Sequence, residues 1–438
     1  MLSLDVLRDR TDEVRRACAV RGMTVPLDHI LQLDEQRRGL LAQVEGMRAD
    51  RNQAGKEIGA ATDAEQRQRM IEEQRALASE LDGLEHGLRE VEAELNPLLL
   101  EVPNVCHEEV PEGEYADGVI VIEGDGVSGQ ERHVDPPRRL GDEPPDAVED
   151  GAKAHWDLGE ALGIIDFERG VKISGSHFYI LREHGARLQR ALIAWMLDLH
   201  REQGYSEVYP PVLVRAEALV GTGQLPKFGD TMFRAEGTEL WMIPTAEVPI
   251  TNMYRDEILD VATLPILHAA YSPCFRNEQF SAGRDVRGLK RGYQFDKVEM
   301  VRFVEPERSW EALESLLQDA LDVVRALGLR YRVVRLASAD LTFASAMTYD
   351  IETWAPGCGE WLEVSSVSNF LDFQARRANL RYRDAEGRVQ RLHTLNGSGL
   401  ALPRTLATLL ERYQREDGSV EVPEVLRPYL GGLEVIAK

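Results

Sequence analysis

Along the first hundred residues, apolar positions recur in steps of three and four. One stripe runs Ile30, Leu33, Leu40, Val44, Met47, Ala54 and Ile58, interrupted by Arg37 and Arg51. A second runs Leu77, Leu81, Leu84, Leu88, Val91, Leu95 and Leu98 with no polar break. That spacing puts each set on one helix face. Between them the small polar run 59–66, Gly-Ala-Ala-Thr-Asp-Ala-Glu-Gln, reads as a turn. The pattern predicts two helices packed antiparallel as a coiled-coil arm over residues 27–100, ended by Pro97 and Pro103. At a rise of about 1.5 Å per residue, an arm of about 30 residues reaches roughly 45 Å. A coiled coil of this kind is most often a structural or dimerisation device. Arg37, Arg48, Arg51, Lys56, Arg67, Arg69 and Arg75 spread along it toward its far end, which leaves an anionic partner open.

Residues 101–150 are rich in Pro, Gly and acid, and read as linker and irregular surface. From about residue 155 the texture changes. Helical patterns at 185–203, 309–327 and 401–416 alternate with short β-rich runs at 239–243, 331–336 and 361–364. The strands are not regularly spaced βαβ units, so the expected class is α+β with an antiparallel sheet. Two domains are expected, 1–105 carrying the arm and 106–438 carrying the chemistry.

Composition narrows the function. The chain has 438 residues, 43% hydrophobic and 29% charged, enough for two or more globular domains. Its early residues show no signal peptide, and no apolar run is long enough for a membrane span. Cysteines 18, 106, 274 and 358 stand far apart with no CxxC pair. That predicts a reducing cytoplasm and no structural zinc. The net charge of −24 argues against a general nucleic-acid binder. The charge is uneven, however. Residues 101–170 hold 19 acidic and 5 basic side chains, while 37–75 hold 7 acidic and 8 basic, and 276–297 hold 3 acidic and 6 basic. Local anionic sites are therefore compatible with an acidic protein.

The densest chemistry lies between Phe275 and Glu299. Two strand-like flanks enclose a basic loop broken by Ser281-Ala-Gly and Gly288. On a strand, Arg276 and Glu278 share a face, as do Phe295 and Glu299. A guanidinium forks onto phosphate oxygens, a carboxylate reads amines or hydroxyls, and an aromatic face stacks on a base. A surface hairpin with solvated charge is the competing reading.

The residues Phe275-Arg-x-Glu278, a loop, then Arg291-x-x-x-Phe295 resemble motif 2 of the class II aminoacyl-tRNA synthetases. The loop Ser281-Ala-Gly-Arg-Asp-Val-Arg-Gly-Leu and the run Gln294-Phe-Asp-Lys-Val-Glu299 resemble the seryl members. Ile243-Pro-Thr-Ala-Glu-Val-Pro is similar to their Thr-x-Glu loop. Glu363-Val-Ser-Ser-Val-Ser-Asn-Phe, with Asp372-Phe-Gln-Ala-Arg-Arg-Ala-Asn, is similar to a third substrate segment. Leu395-Asn-Gly-Ser-Gly-Leu-Ala-Leu-Pro-Arg404 resembles motif 3. The helix at 185–203 with Tyr205-Ser-Glu-Val-Tyr-Pro-Pro resembles motif 1, which forms dimer contacts. The arm resembles the tRNA-binding arm of the same family. The likeness spans essentially the whole chain, with the motifs in order.

The resemblance implies an enzyme that activates L-serine with ATP and Mg²⁺ and transfers it to tRNA(Ser), and to tRNA(Sec) in a host that has one. It implies a homodimer. Arg276 would hold the α-phosphate and, with Arg404, carry the catalysis. Arg404 would hold the γ-phosphate and sandwich adenine against Phe295, and Glu278 would read the adenine amine. Asn277, Val364 and Ser365 would complete the ATP site, with Glu363 and Ser366 placing Mg²⁺. Thr245, Ala246 and Glu247 would bind the serine ammonium, with Arg276 beside them, and Glu299 and Ser398 would read the hydroxyl. A buried pairing of Glu299 with Lys297 or an arginine is the alternative for that glutamate. The arm would read the shape and backbone of the long variable arm of tRNA(Ser). The chain makes three departures from the family pattern: Gln279-Phe280 replace Ala-Gly, Tyr293 replaces a common His, and Val367 a common Cys. A ligase loading a carrier protein is the rival enzyme reading, against which the arm counts. A non-catalytic descendant is a second rival, against which intact Arg276, Glu278, Glu363 and Arg404 count.

Overall fold

The computed structural model of the chain describes residues 1–143, 146, 151–278 and 288–438. It divides into two compact units, Leu2–Pro103 and Asn104–Lys438 with Met1. The loop residues 279–287, including Gln279 and Phe280, lie outside the described residues.

The first unit is dominated by α1 (Leu27–Ala60) and α2 (Ala64–Leu99). Leu27, Ile30, Leu33, Val44 and Ile58 are buried on α1, and Leu81, Leu95 and Leu99 on α2, so the apolar seam is real. Asp63 starts α2 by accepting the Glu65 N–H at 3.1 Å, satisfying an otherwise orphaned donor. Pro97 does not end the helix as expected. It sits in the last turn of α2, where its missing N–H forfeits one intrahelical bond and the chain still turns on to Leu99. Charges stitch the two helices across the seam. Arg37 Nε reaches Glu92 Oε1 at 3.0 Å, Arg48 Nη2 reaches Glu85 Oε1 at 2.8 Å, and His29 Nε2 lies 2.7 Å from Glu94 Oε1. Lys56, Arg67, Arg69 and Arg75 are exposed near the turn.

The second unit is built on a nine-stranded sheet. Its strands are β1 (Val119–Asp125), β2 (Gln130–Arg139), β3 (Ser206–Glu207), β4 (Ile266–Phe275), β5 (Gln294–Val304), β6 (Arg330–Arg335), β7 (Met347–Ala355), β8 (Glu360–Asn369) and β9 (His393–Ala401). Their order is β2-β1-β6-β7-β8-β9-β5-β4-β3. Every pair is antiparallel except β3 with β4. The helices that matter for the site are α3 (Glu183–Glu202), α4 (Glu247–Thr251), α5 (Ser309–Ala326), α6 (Phe373–Arg377) and α7 (Leu402–Arg412). The fold is thus α+β with an antiparallel-dominated sheet, as the patterning predicts.

Strand alternation sorts the two faces. On β5, Val298 and Met300 join the core formed with Leu192 of α3, Leu316 of α5 and Leu406 of α7. Val301 and Phe303 point the other way, onto Ala246 and Ile250 beside α4 and Ala375 of α6. The β-rich run at 239–243 forms a short strand, Leu240–Met242, outside the main sheet and paired with Leu213–Arg215. The run at 361–364 extends through β8 to Asn369. Among the described residues, no helix is long and apolar enough to cross a membrane.

Candidate active site

Thr245 and Glu247 flank the start of α4, and β5 and β9 bring Glu299 and Ser398 opposite each other. That pairing needs a bulge: Val298 faces Leu400 while Glu299 faces Ser398, leaving Gly399 as the extra residue. A Cβ at Gly399 would fall 2.4 Å from His200 Nε2, so glycine is the residue that fits. Glu299 is fully buried. Its Oε2 accepts from Thr245 Oγ1 at 2.7 Å, and its Oε1 from Asn396 Nδ2 at 3.2 Å. Lys297 pairs with the same carboxylate and donates to Thr245 Oγ1 at 3.0 Å. The alternative raised for Glu299, a buried pairing with Lys297, is therefore present together with the polar pocket.

Glu247 is also buried. Gln374 Nε2 donates to its Oε1 at 2.6 Å and Asn396 Nδ2 to its Oε2 at 3.2 Å. Gln374 is itself fixed by Thr394 Oγ1, 2.7 Å from its Oε1. Burial first, then the neighbouring Glu299 charge, push the Glu247 carboxyl up to about 7. Lys297 balances Glu299; Glu247 makes no ion pair among the described residues and suits a cation with several N–H donors. Ala246 is fully buried at the N-cap of α4, and Ser398 is buried beside Ser365, whose Oγ donates to the Ser398 carbonyl at 2.7 Å.

Arg276 stands at the edge of this pocket. Its Nε approaches the Pro244 carbonyl at 3.4 Å, and its guanidinium carbon lies 5.1 Å from the Phe295 ring centroid. Arg276 and Glu278 do not share a strand as expected. β4 ends at Phe275; Arg276 N–H still bonds to the Tyr293 carbonyl at 2.9 Å, but Asn277 N–H turns away to Thr231 O at 2.9 Å. Glu278 lies 3.5 Å from Arg291 Nη1. Tyr293 stacks on His177 with ring centroids 5.3 Å apart and meets Phe178 and Phe233 edge-on.

The third wall is β8. Glu363 and Ser366 are three residues apart, which on a regular strand puts them on opposite faces. A bulge corrects this. Ile351 faces Ser365 and Glu352 faces Glu363, so Val364 is the extra residue. Beyond it Ser366 faces Asp350, which is buried and hydrogen-bonds to Ser366 while its Oδ1 has no hydrogen-bond partner among the described residues. Burial, then the charge of Glu363, raise the Asp350 carboxyl well above its ordinary range. Crowded oxygen donors with an unused buried lone pair fit a hard divalent cation. Arg404, in the first turn of α7, closes the wall. Its Nη1 reaches Glu363 O at 2.9 Å and Glu363 Oε2 at 3.2 Å, and its Nε reaches Lys290 O at 3.0 Å. Val367 is fully buried in the core, clear of these groups.

Lys297, Asn396, Gln374 and Asp350 were not assigned to the site from the sequence. Asn396 was legible by alternation, two residues from Ser398 on one strand. Gln374 lies within the 372–379 run that resembles the third substrate segment, whereas Asp350 carries no such local signal. One further group, His155, Cys358 and Glu411, holds its ligand-type atoms within 4.8 Å of one another.

A buried polar cluster of Thr245, Glu247, Glu299 and Asn396 beside an arginine–aromatic pair, on an antiparallel sheet closed by a motif 3 arginine, is the arrangement of a class II synthetase core. Residues 231–413 match the tRNA synthetase class II core domain (G, H, P, S and T), and residues 1–106 match the seryl-tRNA synthetase N-terminal domain. The chain is 54% identical over 440 residues to a serine–tRNA ligase of Thermomicrobium roseum, covering 100% of this chain and 95% of that one. It is 53% identical over 441 residues to that of Chloroflexus aurantiacus, covering 100% of both. Among solved structures, seryl-tRNA synthetase from Pyrococcus horikoshii complexed with ATP superposes with a TM-score of 0.88 at 35% identity, covering 100% of this chain and 99% of that one. The cytoplasmic enzyme of Naegleria fowleri in complex with AMP gives 0.83 at 27% identity, covering 100% and 98%. The chain belongs to the seryl-tRNA synthetase family.

Proposed function

We propose that the chain joins L-serine to the 3′ end of tRNA(Ser), by way of seryl-adenylate formed from ATP with release of diphosphate. The observation that carries this is the buried pocket of Thr245, Glu247, Glu299 and Asn396 opening beside Arg276 and Phe295. The amino acid supplies its own nucleophile: a serine carboxylate oxygen bonds to the α-phosphorus as the bond to diphosphate breaks. The protein's part is positioning and electrostatic stabilisation. Thr245, Ala246 and Glu247 hold the ammonium, Glu299 and Ser398 the hydroxyl, and Arg276 the α-phosphate at the serine carboxylate. Glu278 and Asn277 meet the adenine end, Phe295 and Arg404 sandwich the base, and Arg404 reaches the γ-phosphate. Val364 and Ser365, which follow Glu363 on β8, complete the proposed ATP site. Glu363 and Ser366, with Asp350 behind them, would hold Mg²⁺, which when bound supplies positive charge to the phosphate oxygens.

Residues 1–105 are proposed as the tRNA-binding domain and 106–438 as the catalytic core of a homodimer, by likeness of α3 to motif 1. Arg37 and Arg48 are engaged by Glu92 and Glu85, so Arg51, Lys56, Arg67, Arg69 and Arg75 are the arm cations best disposed to meet tRNA. tRNA(Sec) is a second proposed acceptor, and a reducing cytoplasm the proposed compartment.

The test is ATP–pyrophosphate exchange with serine, threonine, alanine and glycine. Serine is expected to support exchange. Alanine should be rejected by roughly 10⁴–10⁵-fold, because the buried Glu299 would lose its hydroxyl partner. Absence of serine-dependent exchange would sink the proposal.

The ionisation of Glu247 gives a second expectation. The ammonium needs the carboxylate, and the carboxyl is pushed up to about 7. Serine KM should therefore rise by about tenfold per unit as pH falls below 7, and level off above about 8. A serine KM independent of pH over that range, measured with ATP saturating, would contradict the assignment of Glu247.

A further inference from the structure

Behind the active site, one buried carboxylate gathers five donors. Glu411 lies in the last turn of α7, two helical turns beyond Arg404. Its Oε1 accepts from His155 N–H at 2.9 Å, His155 Nδ1 at 2.7 Å and Cys358 Sγ at 2.9 Å. Its Oε2 accepts from the N–H groups of Gly357 at 2.8 Å and Cys358 at 3.0 Å. Burial opposes that charge, but the donors from His155 and Cys358 outweigh it and hold the carboxyl below its ordinary value.

The other edge of the His155 ring does something different. Nε2 accepts the Leu289 N–H at 3.0 Å. A ring nitrogen that accepts carries no proton, so the proton sits on Nδ1, facing Glu411. The backbone presses closely on this edge: at Gly288 φ is +81°, and a Cβ there would lie 2.2 Å from Nε2. The next residue, Lys290, offers its carbonyl to Arg404 Nε at 3.0 Å and its Nζ to Glu360 Oε2 at 2.5 Å. A closed circuit thus runs from Glu411 through His155 and the 288–290 backbone to Arg404, beginning and ending on α7.

We infer that His155 is a positioning residue for ATP: its Nε2 acceptor fixes Leu289, and the Lys290 carbonyl then holds the Arg404 guanidinium at the γ-phosphate position. This rests on the reading of Arg404 given above. His155 meets no substrate, and its two nitrogens have separable tasks. Asparagine at this position keeps a donor near Nδ1 and loses the Nε2 acceptor. Glutamine places an acceptor near Nε2 and loses the Nδ1 donor.

The experiment measures KM for ATP and for serine in pyrophosphate exchange by the full-length His155→Asn, His155→Gln and Arg404→Ala proteins. In His155→Asn the ATP KM should rise on the order of tenfold, within the roughly hundredfold that a 1 Å misplacement can cost. Serine KM should stay at the wild-type value, and His155→Gln should return the ATP KM toward wild type. An unchanged ATP KM in His155→Asn, equal rises for both substrates, or no rescue by glutamine would overturn the inference while Arg404→Ala still shows a raised ATP KM. A flat ATP KM in Arg404→Ala would overturn the Arg404 assignment itself, and the inference with it.

Discussion

Replacing Arg276 with alanine should abolish serine-dependent ATP–pyrophosphate exchange. The loss is expected to reach at least the roughly 10²–10³-fold that removal of one donor to a developing anion costs. Arg276 is the one group proposed to touch both substrates, and its position explains why. It leaves the end of β4 with its N–H on Tyr293 O, leans over Phe295, and has Pro244 O beside its Nε. The fork is therefore preset between the serine pocket and the adenine face. Negative charge grows on the α-phosphoryl oxygens in the transition state, where a fixed guanidinium is worth most. Lysine should not rescue the variant, because a point charge lacks the two-pronged geometry. Near-normal exchange in Arg276→Ala, with serine and ATP saturating, would refute the assignment.

Removal of residues 27–100 should separate the two half-reactions. Exchange should survive, because Asn104–Lys438 forms its own compact unit containing every group proposed for activation. Charging of tRNA(Ser) should fall by roughly 10³-fold or more in kcat/KM, the low end of what specific contacts add over non-specific backbone binding. The arm is nearly neutral over 37–75, with 8 basic against 7 acidic residues, and Arg37 and Arg48 are engaged within it. That balance fits the proposed recognition of shape better than a general attraction for phosphates. Unchanged charging by the truncated protein would rule out the arm's role, and loss of exchange as well would show that the arm is needed for the integrity of the core.

The arm and the fold class could be predicted from the sequence because both are written in local period. Steps of three and four fixed the seam of α1 and α2, and the irregular spacing of strands pointed to an antiparallel α+β sheet. Motif order identified the family and most of the proposed site. Pro97 marks the last turn of α2 and not its stop, because a proline there costs one bond, not the helix. The expected pairing of Arg276 with Glu278 on one strand fails because the chain beyond Phe275 bonds to Thr231, nearly fifty residues away.

By itself, then, the sequence determined the helical hairpin, the class of the sheet and the chemical cast from Phe275 to Glu299. The tertiary structure decided how that cast stands. Bulges at Val364 and Gly399 turned Glu363 with Ser366, and Glu299 with Ser398, to common ground. Burial raised Glu247, Lys297 and Asn396 closed on Glu299, and His155 came to rest under Leu289. The physical reason is common to all of these. A side chain's face follows from local backbone period, but strand register, desolvation and hydrogen-bond partners depend on segments distant in the chain, and no local pattern encodes which of them will meet.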